Sequence, residues 1–214
     1  MVIIVLGTHG GGTSLVAGML DALGVKMGYN PRAKITVPRG TYLNYEDSEL
    51  VRINNAILKR SGGNWHSIPD LARTRFRLGQ EQRARKWVSD RAAHAKGRTW
   101  GAKDPRHSLT IHCWHPLLKP HDVRYVLVTR KPGAAARSIQ SRGPSHKTNH
   151  YWTELSKAYL ERARSFLLSV DSPRLELKFE DLMGKNAGAR CAALAQFCGL
   201  PRKAGRRAQG RIRR

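Results

Sequence analysis

The chain has 214 residues and 40% hydrophobic content, enough for one domain with a real core, and no apolar run nears the ~18 residues of a membrane-spanning helix. Lys+Arg 39 against Asp+Glu 15 gives a formal net charge of +24, so its partners are expected to be anionic rather than basic or membrane-embedded. The first residues lack the basic start of a secretory leader, and Cys113, Cys191 and Cys198 form no CxxC pair, so a reducing cytoplasm is the expected compartment.

In chain order the pattern alternates strand and helix. Val2–Leu6 is a β-branched run that reads as a buried strand, and Thr13–Leu23 follows as a helix with Leu15, Val16, Met19, Leu20 and Leu23 on one face. Residues 24–43 are rich in Gly and Pro and read as a long loop, as does 61–79; both are expected to shape an acceptor pocket. Between them Ser48–Arg60 has helical periodicity. Gln80–Ala95 reads as a strongly basic helix and Arg98–Lys103 as a short strand. Val123–Arg130 is the clearest buried strand, and Pro132 opens a helix running to Arg142. A long helix over Tyr151–Val170, a strand over Arg174–Phe179 and a helix over Asn186–Cys198 complete the domain, the last stopped by Gly199 and Pro201. This order predicts an α/β fold with a parallel sheet flanked by helices, its sites at the carboxyl ends of the strands. Residues 202–214 hold seven basic residues and no acid, and read as a solvated, disordered tail able to touch nucleic acid nonspecifically.

Three strand ends carry candidate chemistry. The first is Gly-Thr-His-Gly-Gly-Gly-Thr-Ser over 7–14, between a strand and a helix, the layout of a phosphate-binding loop. Gly10, Gly11 and Gly12 let the backbone approach an anion, and Thr13 and Ser14 add hydroxyls near the helix dipole. A nucleotide triphosphatase loop has a lysine before the Ser/Thr, where Gly12 stands, which argues against ATP hydrolysis. The second end delivers Arg130, with Ser138 eight residues on; a guanidinium and a hydroxyl can share one phosphate. The third is "WGAKDPRHSL", where Lys103 leaves a strand and Asp104-Pro105 forces a turn. The compact "HCWH" of His112–His115 has no second cluster at zinc spacing, so no metal is expected. Trp152 and Tyr159, seven apart on a long helix, read as core, and Cys191 and Cys198 as buried thiols.

Taken together these stretches resemble the PAPS-dependent sulfotransferases, in particular a bacterial branch similar to tyrosylprotein sulfotransferases. The resemblance covers residues 1–201. It rests on "GTHGGGTSLVAGMLDALGV", "TYLNYEDSELVRINNAIL", "WGAKDPRHSLTIHCW", "YVLVTRKPGAAARSIQSR" and "LKFEDLMGKNAGARCAALAQFCGLP", in that order. It implies a P-loop-like sulfotransferase fold and 3′-phosphoadenosine 5′-phosphosulfate as co-substrate, with no metal. The loop would hold the 5′-phosphosulfate, and Arg130 with Ser138 the 3′-phosphate. Family members usually carry a lysine or arginine where this chain has Gly10; Lys103, Arg106 or His9 would then supply the charge, Lys103 first. Sulfuryl transfer resembles phosphoryl transfer in needing positioning and charge above all. Glu46 is the expected base toward a small-molecule, glycan or peptide acceptor, with His9 its rival. Two other classes stay open: a basic nucleotide- or nucleic-acid-binding protein of the same fold with weak or lost catalysis, and a P-loop nucleotide kinase.

Overall fold

Strand β1 (Val2–Gly7) is buried along its whole length, which suits a β-branched run covered on both faces. A computed structural model of the chain describes residues 1–28, 34–37, 40–140 and 146–212, with 34–37 and 40–43 described by backbone alone. Around β1 lie β2 (Lys26–Met27), β5 (Trp100–Lys103), β6 (Val123–Thr129) and β7 (Arg174–Lys178), in the sheet order β2-β5-β1-β6-β7. All four pairings are parallel. The register aligns Val5 with Lys103 and Gly7 with Val128, and Thr129 with Lys178, so four strands end together. The expected parallel α/β sheet is therefore present, and its carboxyl edge is where a ligand would sit.

Alternate residues of β1 feed two cores. Val2, Ile4 and Leu6 pack with α2 (Ser48–Arg60), α3 (Leu78–Ala95), α4 (His107–Leu118) and α6 (Asn149–Ser169). Ile3 and Val5 pack with α1 (Thr13–Ala22), α7 (Phe179–Met183) and α8 (Ala187–Phe197) on the other face. Helix α5 (Pro132–Gln140) packs against α6. Trp152 and Tyr159 are core residues, as the spacing predicted, and the three cysteines are unpaired thiols with Cys191 and Cys198 buried.

Several elements depart from expectation. Residues 24–43 contain β2 and an antiparallel hairpin of β3 (Lys34–Val37) and β4 (Gly40–Leu43). Helix α4 has no counterpart in the sequence reading. Its buried face includes His107, Ser108 and Thr110, and Pro116 lies inside it, so its apolar period is broken. The stop of α5 at Gln140 leaves Ser141 and Arg142 outside the described residues.

The tail requires a correction. Arg202–Ala204 forms a 3-10 turn and Gly205–Gln209 the short helix α9. Ala204 and Ala208 are buried in the α1–α8 core, and Ile212 packs against it. A Cβ on Gly205 would lie 2.7 Å from the Ala192 nitrogen, so this glycine permits close approach to α8. Small residues four apart on one side, with Arg202, Arg206 and Arg207 exposed on the other, dock the segment despite its charge. Residues 202–212 belong to the domain.

Candidate active site

The glycine loop joins β1 to α1. Gly7, Gly10 and Gly12 all have left-handed φ, +150°, +70° and +93°. The Gly11 N–H donates to the Thr8 carbonyl at 3.1 Å, closing the turn on itself. Gly12 caps α1, whose first N–H groups lack intrahelical acceptors and form the loop's anion-facing end. Thr13 is buried with its methyl toward Gly7, and the Ser14 hydroxyl is 3.4 Å from the Asn44 carbonyl. The loop is tied to the next strand end by Ser108, which accepts from the Gly7 N–H at 2.9 Å and donates to the Gly7 carbonyl at 2.8 Å.

Gly10 is hemmed in. A Cβ there would lie 2.6 Å from the Ala135 carbonyl and 3.2 Å from the Ser138 Cβ, on α5. With φ at +70°, the position holds no side chain without backbone movement. A cation reaches the loop from the end of the neighbouring strand β6. Arg130 Nη1 donates to the Gly10 carbonyl at 2.9 Å, and its guanidinium carbon is 4.3 Å from the centre of the Phe179 ring. That ring also covers Gly12. Arg130 Nε is buried and has no acceptor among the described residues, so a donor is held in reserve beside the loop. Burial and nearby Arg137 lower the guanidinium pKa, while Glu180 opposes them. Gly10, Gly12, Arg130 and Ser138 are thus brought together.

The second group forms across the sheet's other half. Lys103, at the end of β5, has a side chain only 2% exposed, and its Nζ meets Glu46 Oε1 at 2.7 Å. Glu46 enters from the residues after β4, where its N–H donates to Asn44 Oδ1 at 2.6 Å and Tyr45 adopts φ +57°. Arg106 Nη1 lies 3.5 Å from Glu46 Oε2 and 2.8 Å from Asp104 Oδ1. Asp104 is fully buried and accepts from Asn54 Nδ2 at 2.9 Å. Asn54 Oδ1 in turn accepts from Thr110 Oγ1 and from Trp114 Nε1. Burial alone would raise the Asp104 carboxyl. Arg106, His107 and the hydrogen bonds from Asn54 and Arg106 outweigh it and hold the group well below the usual carboxylate range. The acids beside Glu46 have other work. Asp47 caps α2 through Glu49 and Leu50 and accepts from Trp87 Nε1; Glu49 pairs with Arg52.

His9, the rival base, lies among aromatic rings, 5.0 Å from Trp65 and 5.7 Å from Tyr159 between centres. Tyr159 donates to the Trp65 carbonyl at 2.8 Å and Tyr151 to the His66 carbonyl at 2.6 Å, which fixes the start of the 61–79 segment over the loop. Burial raises the Tyr159 phenol, with Arg106 and Glu46 in electrostatic reach. The histidines of "HCWH" bond elsewhere: His112 Nε2 to the Thr74 carbonyl and His115 Nδ1 to the Tyr125 hydroxyl, each at 2.7 Å.

Phe179, Asn54, Ser108 and Trp65 are site neighbours that the sequence reading missed. Phe179 alone had a signal, as the last residue of a predicted strand.

No family model and no curated protein sequence matches the chain. Among solved structures it is similar to sulfotransferase STF1 from Mycobacterium tuberculosis H37Rv, at 15% identity over 97% of this chain and 70% of that one, TM-score 0.53. It is also similar to the sulfotransferase domain of the Synechococcus PCC 7002 olefin synthase, at 14% identity over 94% and 73%, TM-score 0.51. A weaker likeness, TM-score 0.41, is to deoxyadenosine kinase from M. mycoides with bound dATP, at 15% identity over 84% and 92%. The fold is the P-loop-like sheet flanked by helices that sulfotransferases have.

Proposed function

We propose that the chain is a sulfotransferase that moves a sulfuryl group from 3′-phosphoadenosine 5′-phosphosulfate to a hydroxyl or amine acceptor, without a metal. The Glu46–Lys103 pair carries this reading: a carboxylate and an ammonium meet at 2.7 Å where β5 ends beside the glycine loop. The residues fit a multiply anionic nucleotide. Three glycines leave a cradle that side chains would fill, and Arg130 Nε is a buried donor with no acceptor among the described residues.

When bound, the nucleotide supplies the sulfuryl group. The start of α1, with Thr13 and Ser14, would hold the 5′-phosphosulfate, and Arg130 with Ser138 the 3′-phosphate. Because Arg130 already holds the Gly10 carbonyl, it also stands in for the basic residue that the loop lacks. Lys103 would stabilise charge growing on the departing phosphate, a role worth ~10²–10³ in rate for a single donor. Glu46 would accept the proton that the acceptor loses. Arg106 and Asn44 fix its carboxylate and backbone. The Trp65–Tyr159–His9 wall stands beside this pair and would face the acceptor, which is a small molecule, glycan or peptide.

Ligand-induced melting tests the reading. A ligand that binds only the native state adds ~2.7 kcal/mol at a hundredfold excess over Kd. Adenosine 3′,5′-bisphosphate is expected to raise the melting temperature, and ATP with magnesium to raise it less. The reverse order supports a nucleotide kinase instead.

A further inference from the structure

A second basic site lies away from the glycine loop. The end of α2 and the start of α3 enclose a groove of about 550 Å³, lined by Arg60, Arg77, Arg83, Lys86 and Gln80. Helix α2 begins at the Glu46 end and rises about 1.5 Å per residue, so Arg60 sits roughly 20 Å from the Glu46–Lys103 pair. We propose that this groove binds the sulfate or phosphate ester of a saccharide. The site stands on its own lining and does not depend on the sulfotransferase reading.

Three observations carry it. First, Arg60, Arg77 and Arg83 are exposed, and among the described residues none has an acidic partner in an ion pair. The nearby acids are engaged, Glu81 with Arg85 and Asp90 with Lys86. Three clustered guanidinium groups repel one another, and an oxyanion relieves that repulsion while accepting forked hydrogen bonds. Second, Gln80 is only 8% exposed and its amide nitrogen has no acceptor among the described residues. Its oxygen is fixed by the Arg77 N–H at 3.2 Å, which leaves the NH₂ as a buried donor in the groove wall. Third, the Leu78 and Gly79 N–H groups at the start of α3 lie ahead of the first intrahelical bonds, which Gln80 and Glu81 make to the Arg77 carbonyl, and the space beside Gly79 is open. The rest of the lining suits that carrier: the Gln82 side-chain amide can donate to and accept from the hydroxyls of a sugar that bears the ester. Among the described residues no aromatic side chain lines the groove, so it offers no stacking surface for the bases of single-stranded nucleic acid.

Calorimetry on the full chain, at low and at near-physiological salt, tests the proposal. The probes are a fully sulfated hexasaccharide, its unsulfated parent, sodium sulfate and a single-stranded hexanucleotide. The sulfated saccharide is expected to bind and the parent not to. Arg60→Gln/Arg77→Gln/Arg83→Gln should weaken the sulfated saccharide at least tenfold. Lys119→Gln/Arg162→Gln/Lys185→Gln removes equal charge elsewhere and should weaken it less than threefold. Binding of sulfate ion alone, with no gain from the saccharide, overturns the saccharide as carrier. A hexanucleotide that binds tighter than the saccharide overturns that carrier too, and equal losses in the two triple variants overturn the site. The replaced side chains are exposed, and unchanged melting of both variants confirms that binding alone is read.

Discussion

Arg130 Nη1 and the carbonyl oxygen of Gly10 lie 2.9 Å apart, although 120 residues separate them in sequence. The β6 end brings a guanidinium to a β1 loop that has no lysine or arginine of its own, and α5 occupies the space that a side chain at Gly10 would need.

Restoring a basic residue in the loop should therefore do harm. Gly10→Arg requires a left-handed residue, costing about 1–2 kcal/mol, and drives a Cβ into the Ala135 carbonyl, adding roughly 1–3 kcal/mol of overpacking. Urea unfolding is expected to report a loss within the sum of these ranges. A variant as stable as the parent shows that α5 yields easily.

Arg130→Ala should weaken adenosine 3′,5′-bisphosphate more than adenosine 5′-phosphate. Because the same guanidinium holds Gly10, the 5′-phosphate should lose affinity too. Calorimetry with both nucleotides measures the two losses. Unchanged affinity for the bisphosphate removes Arg130 from the site.

His107 gives the fold an acid-sensitive step. It is wholly buried beside Trp114, neither ring nitrogen has a hydrogen-bond partner among the described residues, and burial pushes its pKa down to about 4. Nearby Asp104 opposes that shift and Arg106 adds to it. The unfolded chain takes up this proton near 6.5, so between the two values the unfolded state binds more protons. The contribution is intact above pH 6.5 and is lost as pH falls toward 4, by about 3 kcal/mol in all. His107→Leu should lose less stability than the parent between pH 7 and 4.5 in urea titrations. Identical losses would place the acid sensitivity elsewhere. Asp104, held low by Arg106, adds a further loss at still lower pH.

The C-terminal segment makes its own prediction. Truncation after Pro201 uncovers the face of α8 that Ala204, Ala208 and Ile212 cover, and should lower the melting temperature. Gly205→Val keeps the segment but sets it against Ala192, and should cost about 1–3 kcal/mol. Parent-like melting for both variants contradicts the docked arrangement.

The sheet and most helices were legible because their apolar periods are long and clean. Ser48–Arg60 matches α2 residue for residue. Glu46, Lys103 and Arg130 were legible because each sits at or beside an element boundary. Their pairing was not, since Glu46 stands on the segment before α2 and meets Lys103, at the end of β5, across 57 residues of chain. Polar residues in its buried face hid α4, and seven cations hid an apolar stripe of alanines in the tail. The reason for Gly10 lies in α5, more than a hundred residues away, and no local pattern records it.

In the proposed reaction Glu46 takes a proton during transfer while other groups hold the nucleotide. Glu46→Gln keeps the size of the side chain and can still accept a hydrogen bond from Lys103, but it cannot take up the acceptor's proton. Transfer of radiolabelled sulfate from 3′-phosphoadenosine 5′-phosphosulfate to a mixed acceptor panel is the direct measurement, with affinity for the bisphosphate determined alongside. Transfer is predicted to slow ~10²-fold or more, with affinity close to the parent's. Transfer at the parent rate rules out Glu46 as the base, and His9→Ala then tests the remaining one.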